Sequence, residues 1–238
     1  MLRAGVQHVR FALVAELAVI QPVHLNDQVY EAVKARLLSR DLGPGTKLSL
    51  QGLADELAVS RSPVAHALTR LVAEGLVEVG RRGYQVRPLT PTLMAEAHDV
   101  RCAYELFAAD RTVGRLLAEQ LQQLRSLLSH TVEFVDNFEF LDKREYMLAN
   151  KAFHEYLVDL AGNATLLHAY RSLSLHELME RVLAGPSREA GNSSEEHRRI
   201  VEAYEAGDLP AARAAIIANV ETGKQLALEM IESSGGFI

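Results

Sequence analysis

LADELAVSRSPVAHALTRLVAEGLVEVGRRGYQV, residues 53–86, changes its hydrophobic period twice. Leu53 and Leu57 sit at helical spacing behind Ser49, a good N-cap for a short helix. Ala58–Ser60 reads as a tight turn, and Ser60, Ser62 and Pro63 start a further helix, proline being tolerated in a first turn. Its apolar stripe is Val64, Leu68, Leu71 and Val72, and Gly75 ends it. LVEV (76–79) and YQVR (84–87) then alternate like two strands around Gly80-Arg81-Arg82-Gly83.

Upstream, Asn26 is placed to cap a helix running to about Arg40, with Val29, Val33 and Leu37 on one face. DLGPGTKL (41–48) breaks it. Three short helices followed by a hairpin are the elements of a winged helix-turn-helix. The outward face of its third helix carries Arg61, Ser62, Ala65, His66 and Thr69, and the first turn would meet base edges in a major groove. Arg81 and Arg82 at the wing tip suit phosphate or minor-groove contact.

Pro88 and Pro91 mark a boundary, beyond which no strand pattern is expected. Amphipathic helices are expected over about 92–117, 118–136, 139–161, 164–184, 193–206 and 209–232, broken at Asn137, Gly162-Asn163, Gly185-Pro186, Gly191-Asn192 and Gly207-Asp208. Such a series folds as an antiparallel bundle. The expected fold is therefore mainly α: an N-terminal extension (1–24), a winged helix-turn-helix (25–90) and an all-helical bundle (91–238).

Bulk properties agree with two modest units in 238 residues, 48% hydrophobic and without tryptophan. One cysteine, Cys102, excludes an intrachain disulfide framework and fits a reducing, cytoplasmic setting. FALVAELAVI (11–20) is too short to span a bilayer and is interrupted by Glu16, so no membrane partner is expected. The net charge of −6 is unevenly spread: residues 1–90 hold 11 basic and 8 acidic side chains, the remainder 14 and 23. A mildly basic head on an acidic body suits DNA binding by the head.

The 53–86 stretch resembles the winged-helix domain of GntR-family transcription regulators, in its run "LA..L.VSR.PV..AL..L...GLV......G..V". The remainder resembles the FCD ligand-binding domain of the FadR-like branch. VRCAYELFAA carries its "R...E..AA" opening, NKAFHEYLVDLAGN (150–163) its "D..FH.......N" segment, and EEHRRIVEAYEAGD (195–208) its "EH..I..A...GD" segment. The resemblance covers about residues 25–232.

It implies a homodimeric regulator, usually a repressor, reading a palindromic operator in double-stranded DNA and answering to a small metabolite, here expected to be a carboxylate. Family DNA contacts carry over to Ser60, Arg61, Ser62 and the wing's Arg82-Gly83. Gln51 stands where an arginine is common, Ala65 where a second is, and His66 where an acid is. Each bidentate Arg–guanine contact discriminates by about 1–3 kcal/mol, so an atypical operator is expected. Gln51 can still pair with adenine or phosphate, and His66 can donate to a base. Alternatively, Ala65 and His66 merely face solvent.

Many FCD domains hold a metal through an aspartate and three histidines. The corresponding positions are Asn150, His154, His197 and Asn219. Two imidazoles and two neutral amides make a poor set for Zn or Ni. Three readings stand at this point: a metal on His154 and His197 completed by Asn150, water or ligand, a metal-free polar effector pocket, or satisfied core histidines. No cofactor is required. Arg101 either clamps the effector's carboxylate or pairs with Glu105 one turn on. His176 is a further candidate for the pocket wall. A metal-dependent hydrolase or oxygenase is the alternative of another class. No acid stands at ligand spacing beside the histidines to serve as its base, and neither a nucleophile elbow nor a phosphate loop occurs. A non-enzymatic regulator is the expectation. A helix-turn-helix used only for protein contacts is the third reading.

Overall fold

A computed structural model describes residues 23–81, 83–185 and 193–238. The first helix, α1 (Val23–Leu38), buries Val29, Tyr30, Val33 and Leu37. It begins one turn before Asn26, which therefore lies inside the first turn and is not the cap the sequence suggested. The first four N–H groups of a helix need no intrahelical partner, so the earlier start costs no hydrogen bond.

The strand β1 (Lys47–Leu48) follows, then α2 (Leu50–Glu56), with Ser49 Oγ accepting from Gly52 N at 3.2 Å. Ala58, at φ 53°, makes the turn into α3 (Arg61–Ala73), which buries Pro63, Val64, Ala67, Leu68 and Leu71. Gly75 closes α3 at φ +70°, where a β-carbon would also press on the Arg87 guanidinium at 3.1 Å. The hairpin of β2 (Val77–Gly80) and β3 (Gly83–Val86) pairs Val77 with Val86 and Val79 with Tyr84. The winged helix-turn-helix is thus as expected, with one addition. β1 pairs outside β3, giving the order β1-β3-β2; a two-residue strand after Gly43-Pro44-Gly45 has no period to detect.

The body is helical: α4 (Pro91–Thr112), α5 (Ala118–Val132), α6 (Lys143–Asp159), α7 (Ala164–Arg171), α8 (Leu175–Leu183), α9 (Ser193–Ala206) and α10 (Leu209–Ser233). Thr90, Asp142, Asn163 and Asp208 each accept from a backbone N–H of the helix they precede. Two expectations fail here. A small hairpin, β4 (Val135–Asp136) with β5 (Glu139–Phe140), interrupts the all-helical body. Its turn residues Asn137 and Phe138 both have positive φ, the geometry of a tight two-residue hairpin, without the glycine that usually signals one. The expected helix over 164–184 is two helices, parted at Ser174 in the left-handed region.

The winged unit and the bundle share one core. Leu175, Leu178 and Val182 of α8, and Ala227 and Ile231 of α10, join the cluster built on α1 and α3. Arg181 is fully buried in it, donating Nη1 to Arg87 O (2.9 Å) and Nη2 to Ile238 O (3.1 Å). Leu89 and Ile238 exchange two backbone hydrogen bonds, and Arg40 Nε donates to Arg181 O at 2.6 Å. A second core centred on Phe153, Leu157, Ile200 and Ile216 holds the rest of the bundle.

Candidate functional site

On the outer face of α3, Ser60, Arg61, Ser62, His66 and Thr69 are exposed. Ser60 holds the N-cap position without a capping bond, so its hydroxyl is not consumed by the helix. Among the described residues Arg61 and His66 make no ion pair, whereas Arg70 is engaged with Asp27, Glu74 and the face of Tyr30. Gln51 donates one amide hydrogen to Asp55 Oδ1 at 2.7 Å, which leaves its carbonyl oxygen and second N–H to meet DNA. Arg81 is exposed at the wing tip and Gly83 takes φ +102° beside it; Arg82 lies outside the described residues. Exposed Lys47 sits on β1 opposite Gln85, a cation in the wing sheet that sequence reading passed over as part of a loop.

A cavity of about 70 Å³ opens among α4, α6, α8, α9 and α10. Arg101, Asn150 and Asn219 line it, as does His176. His154 and His197, expected to face the effector, do not line it: both are about 1% exposed, with Arg101 bonded to His154 on the cavity's side. Arg101 Nε donates to Glu105 Oε1 at 2.7 Å, so the pairing considered as an alternative to a clamp is present. Its Nη2 also lies 2.9 Å from His154 Nε2, 3.0 Å from His154 Nδ1 and 2.9 Å from Asn219 Oδ1. Its Nη1 makes no hydrogen bond among the described residues. His154 Nε2 in turn meets His197 Nε2 at 2.9 Å, and Tyr170 OH donates to Glu105 at 3.1 Å.

Burial and the Arg101 charge decide the protonation states. Burial alone would raise the Glu105 pKa, but Arg101 and His154 hold it below the ordinary carboxylate range. Burial and Arg101 lower His154 and bring His98 down to about 4. Burial lowers His176 and His197 well below the usual value, with Arg101 and His154 adding to it. The four imidazoles are therefore neutral at pH 7.

Sequence reading missed Glu196, which lines the cavity, accepts from Thr222 Oγ1 (2.6 Å) and Asn219 Nδ2 (3.3 Å), and is nearly buried. Glu196 is the acid of the quoted EH segment, but the 23-residue gap to Asn219 hides their meeting from any local pattern.

Comparison with known proteins decides the relationship. Residues 25–84 match the family described as bacterial regulatory proteins, gntR family, and residues 96–222 match the FCD domain. The chain belongs to the GntR family. It is a transcriptional regulator of the FCD-containing kind. A Streptomyces ambofaciens protein, an HTH-type transcriptional regulator in an unstable DNA locus, is 30% identical over 79% of this chain and 78% of its own. A Paenarthrobacter nicotinovorans protein, named a probable D-xylose utilization operon transcriptional repressor, is 30% identical over 81% and 84%. In fold, this GntR-family chain is similar to McbR/YncC of E. coli (TM-score 0.69, 22% identity, 86% of this chain and 97% of that one). It is also similar to Lar of Listeria monocytogenes (TM-score 0.62, 18% identity, 86% and 97%).

The metal expected of some FCD domains does not fit this member's residues. Asn219 Oδ1 is taken by Arg101, and His154 has a guanidinium nitrogen within 3.0 Å of both ring nitrogens. A divalent ion bound by His154 and His197 would stand beside that fixed positive charge, and Asn150 offers no compensating one. Among the described residues no group of three or more His, Cys, Asp or Glu is placed to hold an ion.

Proposed function

We propose that the chain is a cytoplasmic, homodimeric, non-enzymatic repressor. Its head (25–90) reads a palindromic operator, and its body (91–238) releases the head when a small carboxylate enters the cavity at Arg101. DNA contact is assigned to Ser60, Arg61, Ser62, His66, the amide of Gln51, and the wing's Arg81, Arg82 and Gly83. The observation that carries the reading is the placement of α8. Its His176 lines the cavity, while the next residue, Glu177, meets Lys34 of the head at 3.4 Å.

Several further features support it. The free Nη1 of Arg101 suits a carboxylate oxygen. The repressor name of the Paenarthrobacter relative suits the sign of regulation. Val100 and Phe107, seven residues apart on α4, and Ile217 on α10 are each more than 40% exposed, an apolar stripe suited to a second copy. Two heads are also what a palindrome requires.

Fluorescence anisotropy with a labelled duplex from the promoter region of the chain's own gene tests the reading. Binding that weakens roughly a hundredfold or more between 50 and 200 mM salt is expected of a dimer touching several phosphates. Absence of retention at low salt overturns it.

A further inference from the structure

The cavity's walls carry more negative charge than a bare carboxylate effector would tolerate. Arg101 and Glu196 are its charged lining residues among those described. Arg101 is already neutralised by Glu105 behind it, and the neighbouring histidines are neutral. Among the described residues Glu196 is therefore an unbalanced anion at the cavity wall, holding hydrogen bonds from Thr222 and Asn219. A second uncompensated anion in a small enclosed space would be costly.

Asn219 shows what does fit. Arginine can only donate and carboxylate can only accept, so the amide's orientation is fixed: oxygen to Arg101, nitrogen to Glu196. One carboxamide thus spans the cation and the anion, with its acceptor and donor one carbon apart. An α-amino acid presents the same pair with full charges, a carboxylate acceptor and an ammonium donor on one carbon, its oxygen and nitrogen one bond further apart than the amide's. His98 adds a third partner. Its Nδ1 lies 2.8 Å from Met94 O and so carries the proton, leaving Nε2 a bare, fully buried acceptor without a partner in a residue that lines the cavity.

We propose that the effector is a small α-amino acid, its carboxylate on Arg101 Nη1 and its ammonium between Glu196 and His98 Nε2, with Glu196 as the residue that selects it. The inference rests on the reading of this cavity as the effector site, and narrows the effector from a carboxylate to a zwitterion. Size agrees: at about 10–15 Å³ for each water position, the cavity has room for roughly five or six waters, hence for a solute of about that many non-hydrogen atoms.

Glycine, L-alanine and L-serine, set against propionate, L-lactate and ethanolamine, test it by calorimetry and thermal shift on the full-length protein. At least one of the amino acids is expected to bind tenfold or more tightly than its partner lacking the ammonium. Glu196→Gln, which keeps one oxygen to accept from Thr222 and replaces the other by NH2, is expected to erase that ratio for alanine over lactate. Equal or tighter binding of lactate or propionate overturns the proposal, as does ethanolamine matching alanine, binding by none of the amino acids, or an unchanged ratio in Glu196→Gln. The wild-type comparison stands alone if the variant folds poorly. Lactate that binds and releases the operator duplex would remove the ammonium and leave the regulator intact. Failure to bind the duplex in the absence of any small molecule would remove the regulator itself.

Discussion

Lys34 of α1 and Glu177 of α8 meet across the join between head and body, Nζ to Oε1 at 3.4 Å, with both side chains mostly buried. Glu177 also accepts from Lys151 at 2.8 Å. Burial would raise its pKa, but Lys151 and Lys34 bring it down to about 2, so the carboxylate is charged wherever the protein is folded and active.

Lys34→Met should therefore separate sensing from binding. Operator affinity without effector is expected to change by less than about threefold, while the effector's influence on that affinity falls at least about fivefold, the lower end of usual couplings. Anisotropy titrations with and without the effector measure both. Because Glu177 keeps Lys151, the stability loss should stay near 1–2 kcal/mol, below that of a buried pair left with no partner.

Arg61→Ala makes the opposite separation. Arg61 is exposed and unpaired among the described residues, so denaturant unfolding should shift by no more than about 0.5 kcal/mol. Operator affinity should fall about ten- to a hundredfold, with relaxed preference at one base pair of each half-site if the contact is to a base. A uniform loss across sequences with a smaller salt slope would place Arg61 on phosphate instead.

Much of the head was legible because its signals are local: a serine cap at Ser49, a glycine stop at Gly75, and alternation through 77–86. The hairpin at Asn137-Phe138 and the break at Ser174 were not, since non-glycine residues there adopt left-handed backbone that only tertiary contacts sustain. The cavity was half legible. Arg101, Asn150 and Asn219 follow from family positions, but the withdrawal of His154 and His197 behind Arg101 depends on a side-chain direction no spacing encodes. Glu196 shares that fate, since its contacts with Asn219 and Thr222 exist only once the fold brings α10 against α9.

Acidification should destabilise the protein in a defined window. His98 has a folded pKa of about 4 against about 6.5 unfolded, so between those values the unfolded chain binds the extra proton. Stability is full above pH 6.5 and declines as pH falls towards 4, by roughly 3 kcal/mol for this residue alone. His154, His176 and His197 are shifted in the same direction and steepen the fall. Denaturant melts at pH 7.5, 6, 5 and 4.5 follow it, and His98→Gln should flatten the slope.

Zinc or nickel should leave the wild-type melting temperature within about 1 °C, whereas an ion held at a hundred times its Kd would add about 2.7 kcal/mol. Replacing Arg101 by Ala together with Asn150→Asp and Asn219→His removes the internal cation and supplies the missing donors. That variant is expected to gain a metal-dependent rise, read by differential scanning fluorimetry against an EDTA control.

Arg101 and Glu105 stand one turn apart on a single helix, 2.7 Å from Nε to Oε1. The charge that organises the cavity is thus translated with the chain and finished when α4 forms. A receptor that borrows its central cation from its surroundings reports two concentrations at once, that of its ligand and that of the ion. A carboxylate sensor built on Arg101 would need no such second input. Its output would then be set by one solute, whatever the trace-metal supply around it.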